Sequence, residues 1–110
     1  MNSSKGRAGE AKAAVFLETC GYHIVQRNVR LPGGEIDLVC RDGDTIVFVE
    51  VKSRGSARFG TALAAVDARK RATLRRLAAD YLQIVQPHAC VRFDVVALDG
   101  DRMTLHRNAF

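Results

Sequence analysis

Asp37, followed by Glu50-x-Lys52, brings together the residue types that metal-assisted phosphodiester chemistry needs. Carboxylate oxygens are the ligands that hard divalent ions prefer. An amine two strand positions from a carboxylate projects to the same face, where it can meet an ion-bound water or a phosphate. Glu35 and Glu10 add two further acids that could reach the same place.

Such a site needs two adjacent strands. Glu35 to Arg41 (EIDLVCR) and Thr45 to Lys52 (TIVFVEVK) are β-branched runs, and Asp42-Gly43 between them tolerates φ > 0 at both centres of a type I′ hairpin turn. A two-residue loop centred there sets Asp37 opposite Phe48 and Glu35 opposite Glu50. Alternation then projects Glu35, Asp37 and Val39 to the same side as Ile46, Phe48, Glu50 and Lys52. Like charges so placed, half-buried beside apolar residues, repel unless a cation lies between them, and Mg²⁺ or Mn²⁺ suits an all-oxygen set.

The plainer interpretation is that charges alternating along a strand mark its solvent face, and a bare D…ExK match is common by chance. Against it stands the opposite face, Ile36, Leu38, Cys40, Val47, Val49 and Val51, which is wholly apolar and implies a sheet covered on both sides. Glu10 gives separate support. In the Ala-rich helix expected from Arg7 to Cys20, closed by Gly21, it aligns with Ala13, Ala14 and Leu17 on the stripe that should face the sheet.

The remaining elements follow from periodicity and punctuation. Tyr22 to Arg30 reads as a strand ending at Leu31-Pro32-Gly33-Gly34, and Ser53 to Gly60 as a small, basic loop in which Ser53, Arg54 and Phe59 could clamp a phosphate or stack on a base. A second helix runs from Thr61 to about Val85, ahead of Pro87. On it Lys70 interrupts the stripe Leu63, Val66, Leu74, Leu77 and Tyr81, and either snorkels outward or approaches an anionic partner. Val91 to Leu98 and Arg102 to Arg107 are strands around a second Asp-Gly pair. The expected order is α-β-β-β-α-β-β, an α/β fold with one mixed sheet flanked by helices in a single domain spanning residues 1–110.

Composition narrows the setting. Seventeen Lys and Arg against twelve Asp and Glu give a net charge of +5, which favours an anionic partner such as DNA. Two Tyr, five Phe and no Trp, none in the paired pattern of an RNA-stacking sheet, point to backbone contacts over base stacking. Cys20, Cys40 and Cys90 are far apart, with no C-x-x-C pair, and read as reduced structural thiols. The first residues lack the apolar core of a signal peptide and no run is long enough to span a bilayer, so a cytoplasmic protein without a membrane partner is expected. His23, His88 and His106 have no matching nucleophile or ligand spacing.

Taken together, GxxGExxA near the start, GEIDLV, FVEVKSR, the FG pair, Lys70 and RFDVV resemble the YraN-like family of small bacterial proteins, colinearly from about Gly6 to Leu98. That family looks like a member of the PD-(D/E)XK nuclease superfamily and is similar in layout to archaeal Holliday-junction resolvases. The resemblance implies a restriction-endonuclease-like core and a magnesium-dependent endonuclease acting on branched or structured DNA as a twofold homodimer. It implies that Asp37 and Glu50 bind Mg²⁺ with the backbone carbonyl of Val51, that Lys52 orients or activates the attacking water, and that Glu10 contributes through water or a second ion. Glu35 matches the family's GEID pattern and would shape the site, while Ser53, Arg54 and Lys70, singled out from the loop and the helix stripe, are the candidates for supporting it or binding phosphate. Ile36-Asp37 replaces the superfamily's Pro-Asp, and the second helix lacks the Gln-x-x-x-Tyr signature of some exonuclease branches. A non-catalytic nucleic-acid-binding module on the same fold, and a protein-interaction adaptor, are the alternatives.

Overall fold

The computed structural model describes residues 4–55, 60–85 and 88–110. Helix α1 (Ser4–Thr19) leads into strands β1 (His23–Leu31), β2 (Gly34–Asp42) and β3 (Thr45–Arg54). A 3₁₀ turn (Leu63–Ala65), helix α2 (Ala68–Val85) and strands β4 (Cys90–Asp99) and β5 (Arg102–His106) complete the chain. Residues 56–59 of the expected basic loop, Phe59 among them, and residues 86–87 lie outside the described residues.

The strands form one mixed sheet in the order β1-β2-β3-β4-β5. Consecutive strands are antiparallel except β3 and β4, which run parallel from Thr45–Cys90 to Arg54–Asp99, with α2 in the crossover between them. The mixed α/β class is therefore as expected. Both faces of the sheet are covered. Ala13, Ala14 and Leu17 of α1 pack with Tyr22, Leu38, Cys40, Val47, Val49 and Val96. Leu77, Ala78 and Tyr81 of α2 pack with Val29, Ile36, Val39, Ile46 and Phe48.

Helix α1 ends as its glycine predicts. Gly21 takes φ 92°, and the amides of Gly21 and Tyr22 bond back to the carbonyls of Glu18 and Leu17, each at 3.0 Å, a closure that places Tyr22 under the helix. Helix α2 starts later than expected. Asp67 caps it, its carboxylate accepting the Lys70 amide at 2.9 Å, and Leu63–Ala65 forms the separate 3₁₀ turn instead.

The β2–β3 register also departs from expectation. The turn is centred on Gly43-Asp44, so Asp42 faces Thr45 and Phe48 faces Val39, not Asp37. Gly43 carries φ 60° while Asp44 stays at negative φ, so glycine takes the first central position of a II′-like turn, which relieves Asp44 of a left-handed conformation. The second turn repeats this at Gly100-Asp101. The slip is two residues, so no side chain in the paired stretch changes face.

One face assignment does change. Ile36 packs under α2 with Val39 and Phe48, whereas Leu38 and Cys40 pack under α1, so strict alternation breaks between Ile36 and Val39. The break coincides with an unusual residue in the neighbouring strand. Asn28, between the Arg27–Leu38 and Val29–Ile36 pairs and therefore across from Asp37, is left-handed with φ 52°.

Candidate functional site

The β2–β3 ladder runs from the turn as far as Leu38–Val49. Beyond it the Asp37 carboxylate, not a ladder carbonyl, accepts the Val51 amide at 2.9 Å. Asp37 and Glu50 thus stand at a fork in the sheet, with β3 continuing alongside β4 through Glu50, Val51 and Lys52.

On the α1 side of the fork, Glu10 reaches in from the helix stripe. One carboxylate oxygen from each of Glu10, Glu35 and Asp37 lies within 4.8 Å of the others. Asn28, oriented so that its amide nitrogen donates, bonds Glu10 at 2.5 Å and Glu35 at 3.3 Å. Glu35 also accepts Arg30 Nε at 3.2 Å. The strand kink that turns Ile36 toward α2 leaves its neighbours Glu35 and Asp37 facing this cluster.

On the α2 side, Glu50 is 6% exposed and Lys70 Nζ sits 3.6 Å from its Oε2. Lys70 therefore takes an anionic partner, the second of the two outcomes its position left open. Glu50 Oε1 is buried with no hydrogen-bond partner among the described residues. Burial first, then the adjacent Asp37 charge, push the Glu50 carboxyl up to about 8, with the Lys70 and Lys52 ammoniums opposing.

The expected single-face convergence of Glu35, Asp37, Glu50 and Lys52 is thus two linked groups that share Asp37. Glu10, Glu35 and Asp37 form one, and Asp37, Glu50 and Lys70 the other, with Lys52 half-buried close to Glu50. These residues fit a divalent cation on two counts. The donor set is all oxygen, and a buried carboxylate oxygen at the fork lacks a partner among the described residues. Asn28 had no place in the sequence reading. Its signal was an asparagine within a strand, a residue that tolerates the left-handed region where β-branched residues do not.

A second polar group is structural. Asp94 is fully buried and accepts four hydrogen bonds: Tyr22 OH at 2.5 Å, Arg92 Nε at 2.9 Å and Nη2 at 3.1 Å, and the Asn108 amide at 2.9 Å. Arg92 also bonds Asp42 at 3.0 Å. The RFDVV motif thus ties the end of α1, the end of β2 and the C-terminal residues together. Tyr22 is pushed up to about 12 by burial and by Asp94. Cys40, a free buried thiol, is pushed up to about 12 chiefly by burial, as befits an inert core cysteine.

Fold and site together define a small mixed α/β domain with a carboxylate cluster at a fork in its sheet, and among the described residues no helix is long and apolar enough to cross a membrane. Residues 9–98 match the model of the family described as "Uncharacterised protein family UPF0102". The chain is 48% identical over 107 residues to a UPF0102 protein of Shewanella loihica, covering 97% of this chain and 94% of that relative. It is 52% identical over 100 residues to one of Moorella thermoacetica, covering 89% and 82%. One of Deinococcus radiodurans is 46% identical over 103 residues, covering 91% and 84%. The chain belongs to the UPF0102 family.

Proposed function

We propose that this protein is a divalent-metal-dependent endonuclease that hydrolyses DNA phosphodiesters, with a PD-(D/E)XK-type site and a preference for branched or structured DNA. The observation that carries the reading is the buried Glu50 carboxylate, one oxygen unpartnered among the described residues, beside Asp37 and the Glu10–Glu35–Asp37 oxygen cluster. Asp37 and Glu50, supported by Glu10 and Glu35, would hold Mg²⁺ or Mn²⁺. When bound, the ion supplies Lewis-acid stabilisation for phosphodiester hydrolysis.

The chain's own residues do the rest. The Asp37–Val51 hydrogen bond fixes that carboxylate to the β3 backbone, so it is held before substrate arrives. Lys52 supplies a positive charge near Glu50, suited to orienting the attacking water and to stabilising charge that develops on the phosphoryl oxygens. Lys70 restrains Glu50 from the α2 side. Cutting opposite strands of a junction needs two such sites, so the active species in this reading is a twofold homodimer.

A non-catalytic nucleic-acid-binding module on the same fold is favoured by one observation. Lys70 lies against Glu50, and Asn28 against Glu10 and Glu35, so these acids have protein partners without a cation. The test is cleavage of labelled single-stranded, duplex, flap and four-way-junction DNA with Mg²⁺ or Mn²⁺ and with EDTA, comparing wild type, Asp37→Asn and Lys52→Ala. Metal-dependent cutting lost in both variants supports the nuclease. Binding without cutting under either metal replaces it with the binding module.

A further inference from the structure

Beside the carboxylate cluster, a cleft of about 250 Å³ opens between α1, the end of β3 and the β4–β5 turn. Gly9, Lys12, Ser53, Arg54, Gly55 and Gly100 line it, with no acidic side chain among its described lining residues. The helix passes close to the strand here, a Cβ on Gly9 lying 3.5 Å from Ser53 Oγ. The backbone is pinned as well, the Gly100 amide donating to the Arg54 carbonyl at 2.8 Å.

Arg54 Nε is buried at this cleft and makes no hydrogen bond among the described residues. Burying a guanidinium donor carries a desolvation cost that a hydrogen bond to a bound anion would offset. We propose that this cleft is a phosphate subsite, in which Arg54, Lys12 and Ser53 hold a backbone phosphate of the nucleic acid next to the one at the carboxylate cluster. Position supports the pairing of the two sites. Gly9 adjoins Glu10 on α1, and Ser53 and Arg54 directly follow Lys52 on β3, so the same two elements carry both. The guanidinium offers the planar fork that matches phosphate oxygens, Lys12 a mobile point charge, and Ser53 a hydroxyl donor. Glycines at three lining positions leave room for a sugar-phosphate chain.

The subsite rests on the nucleic-acid reading of the carboxylate cluster but not on catalysis, so binding is measured in EDTA. The probe is a fluorescein-labelled DNA oligonucleotide, single-stranded or duplex, titrated by anisotropy across a salt series with wild type, Arg54→Gln, Lys12→Gln and Arg41→Gln. Arg41 is exposed and pairs with Ile46 at the opposite end of β3, so its variant makes the same charge change away from the cleft. Loss of one phosphate contact should flatten the slope of log K against log salt by about 0.7 on single strands or 0.9 on duplex.

The expected result is that flattening in Arg54→Gln and Lys12→Gln, with affinity at low salt roughly tenfold weaker, and little change in Arg41→Gln. Lys12 is on an exposed helix position, so its variant keeps the test valid even if Arg54→Gln folds poorly. Equal slopes in all three variants, or a wild type that does not bind DNA, overturn the subsite. Flattened slopes in a protein that cuts nothing keep the subsite and retire the nuclease. Metal-dependent cutting with unchanged binding in both cleft variants does the reverse.

Discussion

The Asp37 carboxylate accepts the Val51 amide at 2.9 Å, a side chain standing where a backbone carbonyl would continue the ladder beyond Leu38–Val49. The same group lies in the Glu10–Glu35–Asp37 cluster and beside Glu50. Asp37 therefore has a structural duty and an electrostatic one, and two substitutions separate them. Asp37→Asn keeps an acceptor for Val51 and removes the charge. Asp37→Ala also strands the amide, at a cost of about 1–3 kcal/mol. Thermal melts in EDTA should place Asn near wild type and Ala below it, while neither variant gains the stabilisation that Mn²⁺ gives wild type. A full Mn²⁺ shift in Asp37→Asn would remove this residue from the metal set.

Glu50 makes stability depend on pH in an unusual direction. Its carboxyl moves from an ordinary 4.5 up to about 8 on folding. Between those values the folded protein keeps a proton that the unfolded chain has released, so stability falls as pH rises through this window and levels off above it. In EDTA, Glu50→Gln, which cannot ionise, should gain on wild type by a few kcal/mol at most from about pH 5 to pH 8. A divalent ion favours the ionised carboxylate and should remove that gap in wild type alone. Parallel pH profiles for the two proteins in EDTA would sink the assignment.

Periodicity made the helix stripe with Glu10 readable, as it did the β-branched runs on either side of the first Asp-Gly pair. It could not choose between turn centres, because Asp42-Gly43 and Gly43-Asp44 both offer a two-residue loop and only the backbone shows Gly43 taking the positive φ. The face of Ile36 was hidden for a related reason. It coincides with a left-handed residue on another strand, and alternation within one strand carries no record of that. The partners of Asp94 were hidden too, since Tyr22, Asp42, Arg92 and Asn108 meet only after the sheet is assembled.

The Asp94 network should govern stability and leave chemistry alone. Arg92→Leu leaves a fully buried carboxylate with Tyr22 and Asn108 as its remaining partners among the described residues. Removing one partner of such a pair costs about 3–5 kcal/mol, and the 21% exposure of the Arg92 side chain places this case toward the lower figure. Urea unfolding should show an earlier midpoint with an unchanged slope, while DNA affinity at a temperature where the variant stays folded matches wild type. A midpoint indistinguishable from wild type would show that Asp94 does not need Arg92.

Asn28 tests what the carboxylate cluster does without a cation. Its amide lies against Glu10 and Glu35, and its backbone holds φ 52° across from Asp37. Asn28→Gly preserves the backbone conformation and deletes the amide, whereas Asn28→Val adds a β-branched strain of about 1–2 kcal/mol. Without the donor, the two carboxylates depend more on an ion to offset their repulsion. Asn28→Gly should therefore melt lower than wild type in EDTA and recover more with Mn²⁺, so that its metal-dependent gain exceeds the wild-type gain. A smaller gain would mean that the amide oxygen faces the cluster as one more ligand, reversing the role assigned to this residue.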